Sequence, residues 1–278
     1  IRNNTLAPAA GKLLCPWARS ETPGYSNGGT KFDLERWDTN YFQRLHDFIA
    51  EAGRQGVVVE FVLFCTFYEG PMWGLSPMNA ANNVNGIGDL PREHVYTLED
   101  AALTAVQEAM VRKIVTELNA YDNLYYEICN EPYIGHIVSD AWQAHMAQVI
   151  AETEAGLPNK HLIAQNIANV SQEVNAPDPH VSILNFHYAK PPNAVTINYR
   201  LGRAVADDET GFSGSGADVY RMEGWGFLLA GGAVYDNLDY SFSVGHEDGT
   251  AEIDAPGGGG PVLRDQLRIL KTFVDGLD

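Results

Sequence analysis

Basic residues are scarce: 18 Lys and Arg stand against 36 Asp and Glu, a formal net charge of −18. That sign repels phosphate backbones and anionic lipid, so nucleic acid is a poor partner, whereas an uncharged substrate is compatible with it. Long apolar runs are absent too. No stretch reaches the roughly 18–20 apolar residues that a membrane-spanning helix needs, so no membrane partner is expected. Cysteine is down to Cys15, Cys65 and Cys129, at spacings that match no zinc site and give no disulfide framework. The last two fall inside apolar runs, where a free thiol behaves as a small hydrophobe. The eight histidines include no His-x-His pair or His/Asp cluster at a strand end, so neither metal nor cofactor is expected. The sequence opens on Ile1 without a basic-then-apolar leader; any targeting piece is expected to lie outside these residues. Localisation is left open between a secreted or periplasmic setting and the cytoplasm.

What is present can bury a full core: 278 residues, 45% hydrophobic and 10% aromatic. Chains of this size commonly fold as one α/β domain, and residues 1–278 are taken as a single domain. The run 57–64 (Val-Val-Val-Glu-Phe-Val-Leu-Phe) is short, apolar and β-branched, as a parallel strand covered on both faces would be. A helix precedes it, with Tyr41, Leu45, Phe48 and Ala52 on one face, Asp38 as cap and Gly53 and Gly56 as its end. A long Gly-, Asn- and Pro-rich loop, about 68–96, leads to a helix over about 97–118. Thr97 and Asp100 stand at capping-box spacing there, and Leu103, Val106, Met110, Ile114 and Leu118 line a face.

The alternation continues with strands at 123–129, 161–165, 181–186 and 203–208, a helix at about 138–155 and another at about 217–230. A last strand is expected at 232–238. Pro261 follows a Gly257–Gly260 run at a helix start, and Leu263, Leu267, Leu270 and Val274 form the closing face. Strand after helix after strand predicts a parallel sheet with right-handed crossovers. The fold class expected is α/β, of the (β/α)8 TIM-barrel type, lacking the first one or two βα units in this chain. Six strands are found where a closed barrel takes eight, and the first 36 residues offer only 12–15 as a short strand. An open wedge of barrel would expose strand edges and core faces, so either N-terminal βα units lie outside these residues or a homo-oligomer, or a second chain that completes the barrel, fills the gap.

Two glutamates end strands in this pattern. Asn130-Glu131-Pro132 follows the strand 123–129, and Glu209 closes the run Ala206-Asp207-Asp208-Glu209-Thr210-Gly211. Carboxylates at the C-terminal ends of parallel strands are the arrangement that cleaves glycosidic bonds. One glutamate at a strand end is more often a solvated terminus; the pair is the signal. Asn-Glu-Pro, then Phe186-His187-Tyr188, then Asp-Glu-Thr-Gly and a Trp-containing helix together resemble the clan A glycoside hydrolases, the superfamily of cellulases, mannanases and many β-glycosidases. The segment from Lys31-Phe32-Asp33-Leu34 through 57–63 is similar to the helix and third strand of cellulase-like members, and the resemblance spans roughly 31–240. It lacks the first two strands, where the family places a substrate-binding Arg; Arg2 could be the remnant of that position.

The resemblance implies a retaining hydrolase of β-linked glycosides or polysaccharides. Glu131 would be its general acid/base, Glu209 its nucleophile, and Asn130 the group that binds the hydroxyl beside the reacting carbon. His187 and Tyr188 could hydrogen-bond substrate and nucleophile and help keep Glu209 ionised. Asp207, Asp208 and Glu223 compete with Glu209, although Glu223 lies in a helical stretch and reads as a surface charge. Trp17, Tyr68, Trp73 and Tyr133 stand on polar, turn-rich segments, where aromatic rings could pack on sugar C–H faces. Trp225 reads as core, His94 as a loop histidine and Glu127 as a barrel-interior charge. A Schiff-base lysine is unsupported, because Lys190 beside Pro191-Pro192 reads as exposed. The rival function is a carbohydrate-binding protein that has no turnover.

Overall fold

The computed structural model describes residues 9, 11–243, 245–253 and 257–277; Arg2 lies outside them. The chain divides into two compact units, Ile1–Gln165 and Asn166–Asp278. The first begins with an antiparallel hairpin, β1 (Trp17–Pro23) and β2 (Thr30–Trp37). Residues 12–15, expected as a strand, form none. The hairpin's signal was present in the sequence: Phe32 and Leu34 are buried between outward Asp33 and Glu35, and Asn27-Gly28-Gly29 supplies left-handed backbone at the turn.

Helix α1 (Thr39–Arg54) is capped by Asp38, whose side chain accepts from the N–H groups of Asn40 and Tyr41. Its buried face is Phe42, Leu45 and Ile49, one position round from the expected stripe, and Phe48 is exposed. The rings Trp37 and Tyr41 both pack edge-on to Phe42, which draws it inward. Strand β3 (Val59–Cys65) leads to the one-turn α2 (Gly70–Trp73), then α3 (Ala101–Leu118), β4 (Leu124–Asn130), α4 (Asp140–Ala155) and β5 (Ile163–Asn169). Asp100 alone caps α3, accepting from the Leu103 N–H, while the Thr97 hydroxyl donates back to the His94 carbonyl. The 97–100 capping box therefore does not form.

Strands β3, β4 and β5 pair in parallel and in chain order. β4 is buried along both faces, as a central strand should be. β3 is not: Val62 is exposed, as are Val57 and Val58 just before the strand, and among the described residues β4 is its only strand neighbour. Its apolar run therefore marks an edge.

The long loop between β3 and α3 is held by buried amides. Asn82, fully buried, donates from Nδ2 to the carbonyls of Gly74 and Ser76 at 2.8 Å, and its Oδ1 accepts from the Ser26 N–H and hydroxyl. Asn83 Nδ2 reaches the carbonyls of Pro77, Asn79 and Ile87, and Asn85 Oδ1 accepts from the Leu34 N–H. Removing such a side chain strands buried backbone groups at about 1–3 kcal/mol each. Asn82→Ala should therefore destabilise the protein by roughly 2–4 kcal/mol, read as a lower urea midpoint; an unchanged midpoint would show that the amide does not hold the loop.

The second unit carries β6 (Ile183–His187), α5 (Asn193–Asn198), β7 (Ala204–Glu209), α6 (Ala217–Leu229), β8 (Val234–Tyr235) and α7 (Gly260–Val274). β6, β7 and β8 again pair in parallel in chain order. β8 is two residues long, shorter than expected. The glycines before α7 are needed where they stand: a Cβ on Gly258 would lie 2.1 Å from the Tyr220 ring, and Gly259 has φ +119°. Glu223 is no surface charge. Its side chain is 5% exposed, 2.7 Å from Lys190 Nζ, and accepts from the Thr210 hydroxyl at 2.8 Å. Trp225, expected as core, is only half-buried and packs on Phe273 of α7, itself 44% exposed, at the rim of the α6–α7 contact. Each unit is thus α/β with parallel strands in sequence order, an arrangement compatible with part of a (β/α) barrel. No described helix is long and apolar enough to cross a membrane.

Candidate active site

In the first unit the register of β3 and β4 sets Cys65 opposite Asn130 at the strands' C-terminal ends. The next residue, Glu131, is 8% exposed and has φ +49°. Left-handed backbone in a residue with a Cβ costs about 1–3 kcal/mol and collects at functional turns. The Tyr68 hydroxyl donates to Glu131 Oε2 at 2.5 Å, and Asn130 Nδ2 donates to the Tyr68 oxygen at 2.9 Å. Burial, reinforced by the bond to Glu131, holds the Tyr68 phenol above its usual range, so it stays a donor. Cys65 is no buried hydrophobe. It is exposed, and its Sγ lies 3.7 Å from the Tyr68 hydroxyl and 3.8 Å from Asn130 Nδ2. Arg92, which sequence reasoning passed over, donates from Nη1 to the carbonyls of Phe67 at 2.7 Å and Tyr68 at 2.5 Å. Phe67 stacks on Tyr96 with centroids 5.5 Å apart and planes 5° apart. The backbone that carries Tyr68 is therefore fixed from both sides.

In the second unit a bulge decides which acid faces where. Phe186 pairs with Asp207 but His187 pairs with Glu209, so Asp208 is an extra residue in β7. Regular alternation would put 207 and 209 on one face. Instead, Asp208 Oδ1 lies 3.4 Å from His187 Nε2 and Glu209 Oε2 lies 3.6 Å from His187 Nδ1. Asp207 turns the other way: its Oδ1 accepts from the Ala189 N–H at 3.2 Å. Burial pushes its carboxyl up to about 7, with the Ala189 N–H opposing and Glu223 adding to the rise. Asp207 and Glu209 thus stand in different surroundings.

Tyr188 reaches Glu209 twice. Its N–H donates to the Glu209 carbonyl at 2.8 Å, and its hydroxyl donates to Glu209 Oε1 at 2.5 Å. Like Glu131, Tyr188 has a left-handed φ, +54°. The side chain of His187 is 1% exposed. The residue that sequence reasoning missed here is Phe212, 55% exposed, with its ring 6.0 Å from Tyr188 and 6.4 Å from Tyr240. Its signal was an aromatic between Gly211 and Ser213-Gly214, directly after a strand-end acid. A concavity of about 340 Å³ in this unit is bordered by Ala189, Lys190, Pro191, Met222 and Glu223; Glu209 takes no part in it.

The aromatics expected to meet sugar divide. Trp17 is 3% exposed in β1 and stacks on Trp37, and Trp73 is 5% exposed, with Nε1 donating to the Leu90 carbonyl. Neither offers a face to a sugar. Both were misread because polar neighbours report where the backbone runs, while the hairpin and the 68–96 loop fold these rings inward. Tyr68 and Tyr133 remain half-buried, and Tyr68 spends its hydroxyl on Glu131. Lys190 is 53% exposed and ion-paired to Glu223, which suits no Schiff base. His94 pairs with Glu99 at 2.6 Å, a loop contact. No protein-family model matches the chain, and no characterised protein matches it either.

Proposed function

We propose that the chain is a retaining glycoside hydrolase acting on β-linked oligo- or polysaccharides, built on part of a (β/α)8 barrel. The observation that carries the reading is a repeated one. Each unit carries, at or just past the C-terminal end of a parallel strand, a glutamate that receives a tyrosine hydroxyl at 2.5 Å, Tyr68 to Glu131 and Tyr188 to Glu209. A donor fixes a carboxyl's orientation.

In the first step Glu209 attacks the anomeric carbon as the bond to the leaving oxygen breaks, and Glu131 gives that oxygen its proton. In the second, Glu131 takes a proton from water, whose oxygen displaces Glu209 from the sugar. Such a double displacement requires the two carboxyls about 5–5.5 Å apart. Asn130 would bind the neighbouring hydroxyl, His187 and Tyr188 would orient nucleophile and substrate, and rings such as Tyr133 and Phe212 would pack on sugar. No step needs a metal or a cofactor.

The direct test is release of aryl leaving groups from a panel of aryl β-glycosides. Wild type should turn over at least one, and Glu131→Gln and Glu209→Gln should each lose about 10²-fold or more, the scale of a general acid/base or a nucleophile. Folded wild-type protein that binds sugar but turns over none of them would make the chain a carbohydrate-binding protein instead.

A further inference from the structure

We propose that Tyr68 is a positioning residue for Glu131, fixing the acid's carboxyl through an oriented chain from Asn130 Nδ2 to the Tyr68 hydroxyl to Glu131 Oε2. The inference rests on the reading of Glu131 as the acid/base, and it replaces the role of sugar platform that the sequence suggests for this ring. Three observations carry it. Asn130 donates into the phenol oxygen at 2.9 Å, so the single phenol proton is directed at Glu131, 2.5 Å away. The Tyr68 backbone is pinned by Arg92 Nη1, which also grips Phe67, itself stacked flat on Tyr96. Finally, Glu131 sits on left-handed backbone at φ +49°, where a side-chain anchor selects one carboxyl orientation. A ring built to stack on substrate needs no directed hydroxyl and no clamped carbonyl.

The consequence separates from stacking by leaving group. A 2,4-dinitrophenyl glycoside needs no proton to depart, whereas a phenyl glycoside does. Tyr68→Phe keeps the ring and removes the hydroxyl. For this variant kcat/KM on the dinitrophenyl substrate should stay within about twofold, while kcat/KM on the phenyl substrate falls roughly 10- to 100-fold, part of the 10²–10⁴ that general acid–base catalysis supplies. Equal losses on both, or none on either, would overturn the assignment; a stacking ring predicts little change in Tyr68→Phe and a KM rise in Tyr68→Ala.

A second measurement does not depend on turnover. In protein labelled with ¹³C at glutamate carboxyls, the Glu131 resonance, identified by its loss in Glu131→Gln, should move in Tyr68→Phe. A resonance that stays in place refutes the anchor whatever the enzyme does. An inert wild type whose Glu131 signal still moves would instead remove the glycosidase reading and leave the anchor standing.

Discussion

Glu209→Ala should lose turnover of an aryl β-glycoside by roughly 10⁴-fold or more, and azide or formate should restore a measurable part of it. The size follows from deleting a nucleophile whose work no neighbour can take over, for which losses of about 10⁴–10⁶ are usual. The rescue follows from the space the side chain leaves: a small anion can attack the anomeric carbon there while the aryloxide departs. One displacement replaces two, so the glycosyl azide must have inverted configuration. Asp208 is the internal control. It shares His187 with Glu209, at 3.4 Å from Nε2 against 3.6 Å from Nδ1, but the Tyr188 hydroxyl goes to Glu209. If Asp208→Ala is rescued with inversion and Glu209→Ala is not, the nucleophile is Asp208. Retention of configuration in a rescued Glu209→Ala product would mean that Glu209 never forms the covalent bond.

Asp207→Asn should stabilise the protein above neutral pH and leave it unchanged in acid. The carboxyl is 1% exposed, and burial lifts its pKa from an ordinary 3.8 to about 7. A folded pKa above the unfolded one means that the group's contribution is fully favourable below about pH 4 and is lost as pH rises through about 7. At pH 8 the wild type therefore keeps an ionised carboxylate in the interior. The amide has no such charge and retains the Oδ1 that accepts from the Ala189 N–H. At about 1.4 kcal/mol per tenfold in proton affinity, the variant gains roughly 2–4 kcal/mol at pH 8. Asp236, which burial lifts to about 6, titrates in the same window, so the readout is the difference between variant and wild type in urea unfolding at pH 4, 6 and 8. A difference that is the same at pH 4 and pH 8 would mean that Asp207 holds no buried charge.

Much of the architecture was legible because its signals are local. The apolar runs behind β3, β4 and β6 and the Asp38 cap of α1 depend on neighbours within one turn or one strand. The two glutamates were legible for the same reason, each standing at the end of such a run. Other features depend on distant partners. The face of α1 turned by one position because the ring of Trp37 packs on Phe42. Trp17 and Trp73 went inside because a hairpin and a stitched loop closed over them. Glu223 became a buried ion-pair partner only when Lys190, remote in sequence, arrived beside it. The bulge at Asp208 and the left-handed turns at Glu131 and Tyr188 leave no mark that a residue-by-residue reading could detect, since none of these positions is a glycine. The residue types of the candidate site were thus open to reading, while the geometry that distinguishes Asp207 from Glu209 was not.

Because Asp208 is supernumerary in its pairing, chemistry at 207–209 depends on parity. Straightening the bulge with all three residues kept would send Glu209 toward the side that Asp207 now occupies, whereas deleting Asp208 would restore strict alternation and leave Glu209 opposite His187. The spacing along β7, as much as the identity of any side chain, thus decides the face on which Glu209 stands.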